Sequence, residues 1–153
     1  MTRALGIDFG KARIGLAITD EIGLMAHPLE TVPAQDLGEA ANRIVAVVVE
    51  KKVDTIVVGL PLHMNGEEGK AVESVRNFTN RFRKKLPDGI EIVEVDERLS
   101  TVSAMAKLHA AGRNAKNAKS IIDMASAVEI LQDWLDLQDG GNLLPNPFPE
   151  DEM

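Results

Sequence analysis

An acidic side chain stands inside the first apolar run of the sequence, where a charge is unexpected. Asp8 lies between Gly6 and Gly10 in a segment typical of a buried strand, and a buried carboxylate is costly unless it is paired or binds a metal ion. The two glycines would let a bulky group approach the end of this strand closely. The alternative interpretation is an ordinary turn, in which Asp8 only leads into Gly10.

Acidic side chains occur at two later places that are equally unusual. Asp123 lies early in an apolar helical stripe that continues through Ala127 and Ile130, and the helix dipole would stabilise an anion there by only about 0.3–1 kcal/mol. Asp96 and Glu97 end the last predicted strand, and α/β proteins bind ligands at such carboxyl ends. The alternatives are a helix cap at Asp123 and a solvated turn in which one of the paired acids contacts the arginine that follows.

Carboxylates from three separate elements would repel one another if they converged. Two like charges 4 Å apart cost about 4 kcal/mol at an effective dielectric constant of 20. One or two divalent cations would remove this repulsion, and hard oxygen ligands select Mg²⁺ or Mn²⁺. A pair of such ions can activate water and stabilise the leaving oxygen of an in-line displacement. The acids therefore predict metal-dependent hydrolysis of a phosphodiester bond.

Hydrophobic periodicity predicts the elements that would position these acids. The predicted strands span residues 3–9, 14–19, 24–32, 55–60 and 90–95. The predicted helices cover residues 37–48, 72–86, 100–111 and 117–138. Pro28 makes the third strand an edge or an irregular strand. Asn117 is the predicted cap of the last helix, and residues 113–119 are expected to be polar and mobile.

The order of these elements predicts the fold. Short turns make the first three strands antiparallel, and helical connections make the last two strands parallel additions. This is an α/β fold with the ribonuclease H-like order, a mixed five-stranded sheet flanked by helices. The domain is predicted to cover residues 1–138, followed by a flexible, Pro-rich acidic tail at 139–153.

Composition narrows the class of protein. A chain of 153 residues predicts one domain, and the absence of cysteine excludes disulfides and thiolate zinc sites. No apolar run reaches the roughly 18–20 residues that span a membrane, and no signal peptide is evident, which predicts a cytoplasmic location. The net charge of −7 is unusual for a protein that binds nucleic acid. Basic residues nevertheless cluster at 76–85 and 107–119, and a local basic patch can hold phosphate.

Four motifs follow one another in a specific order along the chain. They are GIDFG with RIG at 6–15, GLP followed by NG at 59–66, DERLST at 96–101, and ID, ASA and IL at 122–131. Together they cover most of residues 4–138, and they resemble the YqgF (RuvX) family of pre-16S rRNA nucleases and Holliday junction resolvases. This family is similar in fold to ribonuclease H and to the RuvC resolvase.

The resemblance implies a nuclease site in which Asp8, Glu97 and Asp123 are catalytic and hold Mg²⁺ or Mn²⁺. It also implies contacts with the nucleic-acid substrate at Lys11, Arg13, Asn65, Arg98, Ser100, Thr101, Lys116 and Lys119. The preferred substrate is the 5′ end of pre-16S ribosomal RNA, in ribosome biogenesis. The alternative is a Holliday junction, which requires two active sites and hence a homodimer, whereas a monomer suffices for RNA.

Two further interpretations stay open. The turn at Asp8, Phe9 and Gly10 also resembles the phosphate loop of actin-like ATPases and sugar kinases, but those enzymes need two such domains around the nucleotide. The second interpretation is a non-catalytic module that has the same fold and binds nucleic acid without cutting it. Retention of all three acids argues against that module.

Overall fold

Five strands and three helices make up the part of the chain that the computed structural model describes, residues 3–10, 12–61, 69–96 and 115–139. The strands are β1 (Ala4–Phe9), β2 (Arg13–Thr19), β3 (Ala26–Pro33), β4 (Thr55–Leu60) and β5 (Glu91–Asp96). The helices are α1 (Leu37–Glu50), α2 (Lys70–Arg83) and α3 (Ala115–Asp139). The predicted helix at 100–111 and the predicted tail from 140 onwards lie outside the described residues.

All five strands form one mixed sheet in the order β3-β2-β1-β4-β5. β1 pairs antiparallel with β2, and β2 pairs antiparallel with β3. On the other side, β1 pairs parallel with β4, and β4 pairs parallel with β5. The predicted sheet of three antiparallel strands extended by two parallel strands is therefore confirmed.

The third strand is an irregular edge strand, as Pro28 predicts. Its register with β2 shifts between Leu16, which pairs with Glu30, and Ala17, which pairs with Pro28. One extra residue, Leu29, is accommodated there as a β-bulge. A proline lacks the N–H that an inner strand would need, and β3 has a neighbour on one side only among the described strands.

Helices cover both faces of the sheet. The buried stripe of α1, with Ile44 and Val48, and that of α2, with Phe78 and Phe82, pack on the face of Leu5. Helix α3 packs on the opposite face through the side chains Ala127, Ile130, Leu131, Trp134 and Leu135. β4 is buried along its whole length, as expected for a strand covered on both sides.

The start of α3 corrects the sequence prediction. Residues 115–119 were expected to belong to a mobile polar segment with Asn117 as the helix cap, but the helix already begins at Ala115. Alanine and lysine, which alternate with Asn117 here, have high helix propensity, and their preference outweighs the weak helix propensity of asparagine. Asn117 is therefore an internal residue of α3.

A bidentate ion pair joins α1 to the edge strand, and its effect on stability depends on pH. Two nitrogens of the Arg43 guanidinium donate to the carboxylate of Glu30, Nε over 2.9 Å and Nη2 over 2.6 Å. These hydrogen bonds hold the pKa of Glu30 below its ordinary value of 4.5. Folding therefore favours the ionised form, and its contribution is present above about pH 4.5 and is lost as the pH falls through the lowered pKa.

We expect Glu30→Gln to flatten the acid side of the stability profile. The variant lacks the carboxylate that must be protonated, so its free energy of unfolding falls less between pH 5 and 3 than that of the wild type. Urea unfolding at a series of pH values measures the difference. Parallel profiles for the two proteins would show that the pair has no pH-dependent effect.

Candidate active site

Asp8 lies on the face of the sheet that α3 covers. Its neighbours Leu5 and Ile7 point into the core under α1 and α2, whereas Ala4 belongs to the core under α3. Side chains alternate along a strand, so Asp8 shares the face of Ala4 and Gly6. The Asp8 side chain is half-buried, and no hydrogen bond or ion pair joins its carboxylate to another of the described residues.

Glycines surround Asp8 on this face. Gly6 lies two positions before it on β1, and Gly10 lies two positions after it, directly beyond the end of the strand. Gly15 pairs directly with Asp8 in the β1–β2 ladder, and the register of Ile7 with Val58 brings Gly59 next to it on β4. We call these four residues the glycine surround. Gly6 is covered by α3, but Gly15 and Gly59 place no side chain beside Asp8 on the two neighbouring strands, so a phosphate or a hydrated ion can approach the carboxylate closely from those sides.

Gly6 and Gly10 can be recognised from the sequence because they flank Asp8, whereas Gly15 and Gly59 belong to distant motifs. Their proximity to Asp8 depends on strand register, which the hydrophobic pattern alone does not specify for two distant segments. A glycine inside a strand is itself a signal of close backbone approach, and that signal was available at both positions.

Helix α3 crosses the sheet in close contact with β1 at Gly6. A Cβ atom placed on Gly6 would lie 2.8 Å from Cβ of Leu131 and 2.9 Å from the carbonyl oxygen of Ala127. Both distances are shorter than any ordinary carbon contact, so only glycine allows this approach. The contact sets the height of α3 above the strand that carries Asp8.

The direction of α3 follows from its contacts with the edge strand. Met124 and Val128 lie beside Pro28, and Gln132 Oε1 accepts a hydrogen bond from the backbone N–H of Ala26, two residues earlier in β3. The helix is therefore antiparallel to β3. Because β3 and β1 are both antiparallel to β2, the N-terminal part of α3 extends towards the carboxyl end of β1, where Asp8 lies.

Asp123 belongs to this N-terminal part of α3. It lies eight residues after Ala115 and one turn before Ala127, so it is too far inside the helix to cap it, and the dipole acts mainly within the first turn. The alternative interpretation of Asp123 as a cap is therefore wrong. Its side chain lies outside what the structure describes.

The last strand, β5, ends at Asp96, directly before Glu97, the remaining acid of the predicted set. Val93 and Val95 pack in the core under α3, and Ile92 packs on the other face. Asp96 continues the Ile92 side by alternation. Glu97 lies outside the described residues, so its role stays a prediction.

Of the predicted substrate contacts, Arg13 is the one whose side chain the structure describes. It begins β2, is half-buried, and shares the α3 face with Gly15 and Ala17 by alternation. Lys116 and Lys119 lie in the first turns of α3, with side chains that are not described. The remaining predicted contacts lie outside the described residues, at Lys11, Asn65, Arg98, Ser100 and Thr101.

Two cations of the predicted basic cluster at 76–85 form hydrogen bonds with other side chains of the protein. Arg76 Nε and Nη2 donate to the Glu94 carboxylate over 3.0 and 3.2 Å, which joins α2 to β5. Lys85 Nζ donates to the side-chain oxygen of Asn42 over 2.7 Å. These two cations are therefore held by protein partners.

Within the described side chains, no group of three or more His, Asp or Glu is arranged to hold a metal ion. Of the three predicted metal ligands, Asp8 is the one whose side chain is described there, so the predicted set remains a prediction. None of the described helices is both long and apolar enough to cross a membrane.

Comparison with known proteins identifies relatives over most of the chain. A protein from Rhodococcus opacus (strain B4), provisionally named a pre-16S rRNA nuclease, is 44% identical over 138 residues, which cover 88% of this chain and 77% of that protein. A relative of the same provisional name from Streptomyces coelicolor is 42% identical over 134 residues, covering 88% of this chain and 80% of that protein.

Solved structures share the fold at low sequence identity. T. thermophilus RuvC, in complex with a Holliday junction substrate, matches with a TM-score of 0.58 and 16% identity, over 92% of this chain and 97% of that chain. The fowlpox virus resolvase, in complex with Holliday junction DNA, matches with a TM-score of 0.56 and 8% identity, over 90% of this chain and 99% of that chain. The predicted ribonuclease H-like fold is confirmed.

The family model for RuvX, described as Holliday junction resolvase, matches residues 2–137. This match includes all four motifs and the three acids that the sequence singled out. Identity above 40% to relatives that are themselves mostly covered agrees with it. The predicted resemblance is confirmed, and the chain belongs to the RuvX family.

Proposed function

We propose that this protein is a metal-dependent nuclease that hydrolyses a phosphodiester bond at the 5′ end of pre-16S ribosomal RNA in the cytoplasm. The observation that carries the proposal is the Asp8 carboxylate, half-buried and without a partner among the described residues, inside the glycine surround. The names of the relatives support the RNA substrate, and a monomer is sufficient for it. The nuclease domain would cover residues 1–138, with 139–153 as a tail.

The donor set fits Mg²⁺ or Mn²⁺. Asp8, Glu97 and Asp123 offer carboxylate oxygens, which are the ligands these hard ions prefer, and the chain has no cysteine to favour a softer metal. A half-buried carboxylate without a countercharge is costly by itself, and a bound cation would offset that cost. We infer that the three acids hold one or two ions.

The placement of α3 supports the convergence of two of these acids. Ala127 lies over Gly6. Asp8 is two residues further along β1, about 6.6 Å at the usual rise of a strand. Asp123 is four residues back along α3, about 6 Å at the usual rise of a helix. Both displacements run towards the carboxyl end of β1, so the two backbone positions stay near each other.

Each part of the site would then have its own task. When bound, the divalent ions supply an activated water and stabilise the leaving oxygen. The carboxylates of Asp8, Glu97 and Asp123 would hold and orient them. The glycine surround would let the phosphate approach the carboxylates closely, and Arg13, on the same face, would contact a neighbouring phosphate.

A second candidate function is resolution of Holliday junctions. Two observations favour it, the description of the family model and the branched DNA bound by the structural neighbours. The neighbours share the fold at low identity, and a fold alone is weak evidence for a substrate. The RNA substrate is therefore preferred.

A substrate panel tests the choice between RNA and branched DNA. The purified protein is incubated with Mn²⁺ and either a 5′-extended 16S rRNA fragment or a four-way DNA junction, while its mass in solution is measured. We expect the protein to cleave the RNA as a monomer. A-form RNA is recognised through its shape, phosphates and 2′-hydroxyls, and one active site is sufficient to cut it. Symmetric cutting of the junction by a dimer would favour the second candidate, and no cleavage of either would indicate a binding module.

A further inference from the structure

A cavity of about 480 Å³ opens on the other face of the sheet, next to the candidate active site. The half-buried Phe9 ring forms its aromatic floor, and the Phe78 ring, only 3% exposed, stacks against Phe9 with the ring centroids 5.1 Å apart and an angle of 28° between the planes. Ala34 and Leu37 complete the apolar lining, and the polar lining residues are Ser74, Asn77 and Arg81. The cavity therefore combines a flat aromatic surface with a polar rim.

Arg81 is a cation that the fold leaves available. Its side chain is exposed, and among the described residues it has no hydrogen bond and no ion pair. It differs in this respect from Arg76 on the same helix, which is bound to Glu94. A guanidinium beside a cavity with an aromatic floor is suited to a phosphate or a stacked base.

The cavity adjoins the site through β1 itself. Phe9 directly follows Asp8, and consecutive side chains of a strand point to opposite faces. Their Cα atoms are about 3.8 Å apart, so the cavity lining begins at the residue that follows Asp8, at the same carboxyl end of β1. A nucleic-acid strand that crosses the carboxyl end of β1 would pass from the Asp8 face to the Phe9 face of the sheet.

We propose that this cavity holds one unpaired nucleotide of the substrate strand, next to the bond that is cut. The base would stack against the aromatic floor, the side-chain amide of Asn77 would bond to the base edge, and Arg81 would contact the adjoining phosphate. A cavity of about 480 Å³ accommodates about one nucleotide, so a base would enter it without its pairing partner. The inference rests on the proposed nuclease function and adds a requirement for a single-stranded extension beside the cleavage position.

Binding, rather than cleavage, tests this inference. Fluorescence anisotropy with the Asp8→Asn protein compares an RNA hairpin that carries a four-nucleotide extension with the same hairpin without it. We expect the extension to tighten binding by about 5- to 160-fold, the range for stacking of one base on an aromatic side chain. Arg81→Gln and Ser74→Phe, which fills the cavity from an exposed helix position, should remove most of this gain.

Arg83→Gln is the matched control, since Arg83 is also exposed at the end of α2 but does not line the cavity. It removes the same charge and should weaken the binding of both RNAs equally through general electrostatics. Equal losses in Arg81→Gln and Arg83→Gln, or equal binding of the two hairpins, would overturn the inference. If AMP competed for the cavity without any effect of the extension, a free nucleotide would be the ligand instead, which would also overturn it.

The two proposals can fail separately. Absence of cleavage by the wild-type protein, with a retained preference for the extended hairpin, would contradict the nuclease proposal alone. Cleavage with no such preference would contradict the cavity alone. Thermal melting of each variant confirms that it is folded before binding is measured.

Discussion

Asp8→Asn is expected to reduce RNA cleavage by about a hundredfold to ten-thousandfold while leaving the protein folded. Metal ions supply several kcal/mol of transition-state stabilisation, and each 1.36 kcal/mol changes the rate tenfold. The amide keeps the shape of the side chain but loses the charge that holds the cation. Its melting temperature should equal or slightly exceed that of the wild type, because a half-buried carboxylate without a partner among the described residues is removed.

A binding readout accompanies the rate measurement. Mn²⁺ should raise the melting temperature of the wild type, since a ligand that binds only the folded state stabilises it, and it should do so much less for Asp8→Asn. Asp88→Asn is the control, because Asp88 is an exposed acid in the turn before β5, at the opposite end of that strand from the site. If the Asp8→Asn preparation cleaved RNA as fast as the wild-type preparation, the cleavage would be that of a contaminant and not of this site.

Gly6→Ala is expected to lower both stability and cleavage by displacing α3. The new Cβ atom would meet Leu131 Cβ at 2.8 Å, and reaching an ordinary contact of 3.4 Å requires a shift of about 0.6 Å. Overpacking of this kind costs about 1–3 kcal/mol. A misplacement of about 1 Å at a catalytic group can reduce the rate about a hundredfold, and α3 is the helix that carries Asp123.

Gly38→Ala is the matched control for this substitution. Its new Cβ atom would lie 3.3 Å from Asp36 Oδ1, which accepts the Glu39 N–H bond at the start of α1, and 3.7 Å from Arg81 Nη2, so it would meet side-chain atoms at longer distances than at Gly6 and no backbone. In a helix, alanine is also favoured over glycine, so stability should be unchanged or slightly higher. Thermal melting and single-turnover cleavage well below the melting temperature measure both variants. Wild-type cleavage in Gly6→Ala would mean that the height of α3 does not govern the site.

The sequence predicts most of the fold because its periodicities are clear. The continuous apolar run at Thr55–Leu60 predicts a strand buried on both faces, which the structure contains. Pro28 predicts an edge strand, which β3 is. The predicted start of α3 at Asn117 was wrong. A possible cap residue there misleads, because the residues around it have high helix propensity.

The candidate site was only partly predictable. Asp8 is conspicuous in the sequence because a charge interrupts an apolar strand, and that anomaly needs no knowledge of the partners of the strand. The roles of Gly15 and Gly59 depend on which strands pair and in what register. The contact of Gly6 with Leu131 joins residues 125 positions apart, and such packing leaves no local pattern in the chain.

The bulged edge at Pro28 has a consequence for self-association. An open edge strand can recruit a second copy by continuing the sheet, but a proline offers no N–H and a bulge interrupts the row of backbone groups that such recruitment needs. A dimer built by joining two β3 strands is therefore disfavoured. If this protein works in pairs on branched DNA, the two copies must meet through a surface other than the β3 edge.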